Sequence, residues 1–210
     1  MKTQILKCRE LTDGQIKQLA GDLSNGAVAV FATDTVYGIG TGALCESSVQ
    51  KIYALKNRPL TQPLQLLVAD LKQAQQIVVL TEPILRVAKV YWPGGLTLIL
   101  PASEAGKPLL RGAVGLGLRI PKYVPLCQVL ARMDMPLTST SANLHGQSVL
   151  TDETTVIDTF EGRVDYILTD GILSPTASTV LDVTGEPTRL LREGSVSKED
   201  LSRLLGAPIL

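Results

Sequence analysis

Imidazole is almost missing from this chain: among 210 residues there is one histidine, His145. A lone histidine argues against a Ser-His-Asp relay and a histidine-based metal centre, and it reads as an exposed loop residue rather than a catalyst. Cysteine is scarce as well. Cys8, Cys45 and Cys127 are odd in number and form no Cys-x-x-Cys pair, which points to free thiols in a reducing compartment. Aromatic residues make up 4% of the chain against 45% for all hydrophobic residues, so aliphatic side chains must build the core. Twenty basic residues balance twenty acidic ones, which removes any global attraction to nucleic acid or acidic membranes. A polyanion site, if there is one, must be a local gathering of Lys and Arg. No apolar run approaches the length of a membrane span, and Met1-Lys2-Thr3-Gln4 opens no signal peptide. The expectation is a cytoplasmic protein with no membrane partner.

What is present alternates between helical and strand signals from end to end. Thr12 reads as the N-cap of a helix with Ile16, Leu19 and Leu23 on its apolar face, ending near Gly26. Strands are expected over 27–31, 64–69, 96–100, 114–120, 136–141, 164–168 and 179–183, and helices over 47–55 and 126–133. Asp70, Thr81 and Ser197 look like caps of further helices, another helix starts at Thr151, and Trp92-Pro93-Gly94-Gly95 breaks the one before it. With no repeat or long linker, residues 1–210 read as one α/β domain. Because the order is not a strict βαβ repeat, its twisted sheet should mix parallel and antiparallel strands.

Six segments could carry chemistry. Thr138 to Ser141 crowd hydroxyls into an apolar strand that runs on to Asn143, and buried hydroxyls need partners that a ligand can supply. Thr33-Asp34-Thr35-Val36-Tyr37-Gly38-Ile39-Gly40 suits close approach of backbone to ligand, or is simply a tight turn capped by Asp34. It is not a Walker loop. Lys56 and Arg58 can point the same way to hold a triphosphate or carboxylate, or can be a solvated helix end. Arg119 interrupts the apolar strand 114–120, and a buried Arg needs an anion, internal or from a substrate. Ser178-Thr179-Val180-Leu181-Asp182 is a second small-polar strand, with Asp182 a base, a metal ligand or a strand-end cap. Leu191-Arg192-Glu193-Gly194 closes the series.

Taken in order, these segments resemble the YrdC/Sua5 family, the threonylcarbamoyl-AMP synthases. The matches are Thr33–Gly40, Lys56-Asn57-Arg58-Pro59, Trp92-Pro93-Gly94-Gly95-Leu96-Thr97, Arg119-Ile120-Pro121, Ser141-Ala142-Asn143, Ser178–Asp182 and Leu191–Gly194, and they span most of the chain. Ala32 and Gly95 stand where the family has proline, and Leu144-His145-Gly146 departs from its x-Ser-Gly. The histidine that some members carry after the Lys-x-Arg-Pro segment has no counterpart in Pro63-Leu64-Gln65-Leu66-Leu67. The chain ends soon after Arg192, like the short form of the family.

The resemblance implies a YrdC-like fold, a mixed sheet flanked by helices around a concave basic cleft. It also implies a nucleotidyl transfer in which L-threonine, bicarbonate (or CO2) and ATP give threonylcarbamoyl-AMP and pyrophosphate, the first step of tRNA t6A modification. By position, Lys56 and Arg58 would neutralise the triphosphate. Thr33, Thr35, Arg119, Ser139 and Ser178 would bind threonine, and Ser141, Asn143 and Arg192 would join the cations at ATP. Mg2+ would arrive on the phosphates, with no metal held by the protein itself and no organic cofactor. tRNA and the downstream t6A transfer proteins are further expected partners. No side chain stands out as general base; Asp34 and Asp182 are the two to consider. An RNA-binding module of the same fold, or a relative adenylating another carbamate, are the rival readings.

Overall fold

The computed structural model describes residues 2–144, 146–173 and 176–210, so His145 lies outside the described residues. Among the described residues ten strands, β1 Gln4–Lys7, β2 Ala29–Phe31, β3 Gly38–Gly40, β4 Gln65–Leu67, β5 Leu96–Leu100, β6 Leu116–Arg119, β7 Leu137–Ser141, β8 Tyr166–Thr169, β9 Thr179–Asp182 and β10 Arg189–Arg192, pair into one sheet. Their order is β1-β8-β2-β3-β7-β4-β6-β5-β9-β10. β1–β8, β8–β2, β4–β6 and β5–β9 are parallel and the remaining pairs antiparallel, as the irregular alternation predicts. Seven α-helices flank the sheet among the described residues: α1 Asp13–Ser24, α2 Glu46–Lys56, α3 Leu71–Ile77, α4 Glu82–Tyr91, α5 Val124–Leu130, α6 Glu153–Phe160 and α7 Lys198–Leu205.

The helix starts follow local chemistry. Thr12 accepts from the Gln15 amide while the Gln15 side chain accepts from the Thr12 amide, a reciprocal capping box. Asp70 and Ser197 accept from the amides of Gln73 and Asp200. Thr81 precedes α4 without a side-chain cap bond, and the cap of α6 is Asp152 rather than Thr151. α2 ends on Asn57 in the left-handed region, φ 51°, which turns the chain sharply between Lys56 and Arg58.

Two aliphatic cores result. α1 and α5 cover β2 and β8 with Ile16, Leu19, Leu23, Val129 and Leu130. α3, α4 and α7 cover β4, β5 and β6 with Ala74, Val87, Ala88 and Leu201. β7 joins the two halves, pairing with β3 on one side and β4 on the other. The hydroxyl-rich strand thus runs through the middle of the sheet.

Candidate functional site

Side chains alternate across a strand, so one face of this sheet collects Ser139 and Ser141 from β7, Gln65 and Leu67 from β4, and Arg119 from β6. Thr97 and Ile99 from β5 and Val180 and Asp182 from β9 extend the same row. All of them line one cavity of about 620 Å³, walled also by Thr33, Thr35, Arg58, Ser178 and Arg192. Gly38, Gly115 and Gly117 leave its floor without side chains. Of the residues singled out in the sequence, Thr33, Thr35, Arg58, Arg119, Ser139, Ser141, Ser178 and Arg192 line this space. Lys56 and Asn143 are not in the lining; they form its backing.

Lys56 ends α2 almost completely buried, 2% exposed. Its ammonium donates to the carbonyls of Ser141 and Asn143 and to the Asn143 Oδ1, which uses all three N–H bonds. Ser141 donates to the same Oδ1 at 2.6 Å, and the Asn143 Nδ2 donates to the Gln147 carbonyl at 2.6 Å. One cation therefore gathers the segment 141–143 and presents Ser141 at the cavity wall. Loss of water around Lys56, with the Arg58 charge adding to it, pulls its pKa down to about 8.

Arg58 lies just beyond the α2 turn, its pKa lowered by burial. Its Nε and Nη2 donate to the carbonyls of Gln62 and Pro63 at 3.0 and 3.1 Å, so it clasps its own loop while lining the cavity.

Arg119 is 3% exposed and has an internal anion: Nη2 reaches Asp34 Oδ1 at 2.6 Å, Nη1 donates to Thr35 Oγ1 at 2.9 Å, and Nε donates to the Gly94 carbonyl at 2.9 Å. The turn is not capped by Asp34, as a reading of that loop alone suggests. Thr33 does this, donating to the Val36 carbonyl at 2.6 Å and accepting from the Thr35 amide at 3.1 Å. Since the one Thr33 proton goes to Val36, the 3.0 Å contact between the two hydroxyls has Thr35 as donor.

Arg192 donates through Nε to the Ser178 carbonyl at 2.9 Å and through Nη2 to Ser178 Oγ at 3.1 Å. Burial, and then the neighbouring Arg119 charge, lower the Arg192 pKa. Asp182 accepts from the amide and hydroxyl of Thr184 at 2.9 and 2.7 Å, the strand-end cap that its position suggests. Among the described residues no group of three or more His, Cys, Asp and Glu could hold a metal ion.

Gln65 and Thr97, joined at 3.0 Å, are polar lining residues to which the sequence reading gives no role. A signal for Gln65 is there: a carboxamide interrupts an apolar strand, as the guanidinium of Arg119 does.

The family model described as telomere recombination, covering Sua5, YciO and YrdC, matches residues 22–194. A threonylcarbamoyl-AMP synthase of Pyrococcus abyssi is 32% identical over 208 residues, taking in 97% of this chain and 61% of the relative. One of Bacillus subtilis is 35% identical over 204 residues, 92% of this chain and 57% of the relative. The chain thus spans about three-fifths of the length of these relatives. The crystal structure of P. abyssi Sua5 complexed with L-threonine superposes with a TM-score of 0.89 at 29% identity, covering all of this chain and 63% of that one.

Proposed function

Because the chain belongs to the Sua5/YciO/YrdC family, we propose that its cavity makes threonylcarbamoyl-AMP from L-threonine, bicarbonate and ATP, releasing pyrophosphate. The observation that carries this reading is the convergence of Arg58, Arg119 and Arg192 with the hydroxyls of Thr33, Ser139, Ser141 and Ser178 on one hollow. Relatives at 32% and 35% identity bear the name of that activity.

The chemistry asks for positioning and charge neutralisation more than for a nucleophile on the protein. The threonine amine adds to CO2 and loses a proton to give the carbamate. A carbamate oxygen then attacks the α-phosphorus, and the α–β bridging oxygen leaves with pyrophosphate. Arg58 and Arg192 would meet the phosphates, Arg119 the threonine carboxylate, and Ser141 a phosphate oxygen. Thr33, Thr35, Ser139 and Ser178 would complete the amino-acid pocket. Lys56 acts in this scheme from behind, fixing Ser141 and Asn143 and adding its charge to the wall. Magnesium enters as part of the ATP substrate, on phosphate oxygens and water, since Asp34 is held by Arg119 and Asp182 by Thr184. The product would pass, in the cytoplasm, to proteins that transfer it to tRNA.

Incubation with ATP, bicarbonate and each amino acid in turn, followed by pyrophosphate detection, tests the proposal. Release that requires both threonine and bicarbonate is expected; release that ignores either one, or none at all, overturns it.

A further inference from the structure

The sheet face that carries Arg119 also carries a directed hydrogen-bond chain. Arg192 Nη2 can only donate, so Ser178 Oγ accepts at 3.1 Å. Thr97 Oγ1 has one proton, and it goes to Gln65 Oε1 at 3.0 Å. At the 3.1 Å contact between the Ser178 and Thr97 hydroxyls, Ser178 must therefore be the donor. Thr97 and Ser178 are 2% and 3% exposed, so water does not compete for these bonds. The chain runs one way, from Arg192 through Ser178 and Thr97 to Gln65, and it sets the carboxamide with its oxygen inward. What remains is Nε2, a two-proton donor on a residue of the cavity lining that has no protein acceptor among the described residues.

We infer that Gln65 is a specificity-determining residue that donates from Nε2 to an oxygen of the amino-acid substrate. This rests on the proposed function. The site is placed for that role: Gln65 is the register partner of Ser139 on β7 and lies on the strand next to the one bearing Arg119. A donor held in place favours an oxygen that accepts from it and rejects an ammonium or a bare methyl, because an unmatched buried polar group is costly. The oxygen can be the substrate's side-chain hydroxyl or its carboxylate.

Calorimetric titration of L-threonine and L-2-aminobutyrate into wild type, Gln65→Glu and Gln65→Leu tests this. Glu keeps the acceptor for Thr97 and loses both donors, so it separates a ligand contact from a merely structural bond. The expected result is threonine binding weakened about tenfold in Gln65→Leu and at least as much in Gln65→Glu, with the KM for ATP unchanged. If the contact is to the hydroxyl, the preference for threonine over 2-aminobutyrate collapses in both variants. If it is to the carboxylate, both ligands weaken together. Gln65→Glu binding threonine like wild type overturns the inference, as does a change confined to ATP. Wild type that neither binds threonine nor releases pyrophosphate brings down the proposed function, and this inference with it. Wild type that binds normally beside unaltered variants brings down this inference alone.

Discussion

Arg119 and Asp34 form a 2.6 Å ion pair in which the guanidinium is 3% exposed and the carboxylate side chain 15%. A charge so buried depends on its partner more than an exposed one does. Asp34→Ala leaves the guanidinium with Thr35 and Gly94 as its anchors among the described residues. The expected loss of stability is about 3 kcal/mol, read from urea unfolding. Added threonine should restore part of it by returning a carboxylate to Arg119. A variant as stable as wild type means that the pair contributes nothing.

Lys56 connects pH to both activity and stability. With its pKa near 8 in the folded chain, kcat/KM for ATP should fall as pH rises through that value. Lys56→Met should be slower and lack that limb. The stability effect has the opposite sign. An unfolded lysine keeps its proton to about pH 10.4, so between the two values the unfolded chain binds more protons. The cost of the buried ammonium is complete below about pH 8 and gone above about 10.4. Wild type should therefore gain stability relative to Lys56→Met across that window, and a constant difference would remove Lys56 from both effects.

Residues whose environment is set nearby were readable in the sequence. The caps at Thr12, Asp70 and Ser197 follow from side chains three residues from their partners. The hydroxyl strand and Arg119 stood out because polar groups inside apolar strands demand partners. What could not be read was partnership between distant segments. Nothing within residues 33–36 tells that Asp34 answers Arg119, or within 141–143 that Lys56 spends all its donors there. β3 and β10 fall within motif segments that carry no strand signal of their own, because their strand character comes from neighbours, β2 and β7 for the one and β9 for the other. Gln65 is a single carboxamide in a short apolar stretch, and only its pairing with the distant Thr97 gives it a direction.

Arg58 holds the carbonyls of Gln62 and Pro63, and Tyr53 Oη adds a 3.0 Å bond to the same Gln62 carbonyl. A phosphate that recruits Arg58 competes with those carbonyls, so ATP binding should loosen the loop 59–63. Arg58→Ala should speed amide exchange there and raise the KM for ATP. Tyr53→Phe removes only the loop bond, so it should speed exchange and leave the KM alone. Equal exchange in all three proteins would show that Arg58 is not a clasp.

Gly40 never touches the cavity, yet it governs the strand that does. A β-carbon there would lie 1.9 Å from the Thr138 carbonyl, a backbone atom that cannot swing aside. Thr138 is fixed in turn, its amide and hydroxyl both donating to the Thr41 carbonyl at 2.8 and 2.9 Å. Gly40→Ala must therefore push β3 and β7 apart next to Ser139, costing on the order of 3 kcal/mol. Pyrophosphate release should drop in the fraction that stays folded, because the shift reaches Ser139 and Ser141. Gly21→Ala is the control: it sits in α1 with nothing within 4 Å of the added carbon, and should gain about 0.5–1 kcal/mol. Thermal melts of the two variants moving in opposite directions would trace the effect to contact with β7. Parallel movement would trace it to glycine's backbone freedom alone.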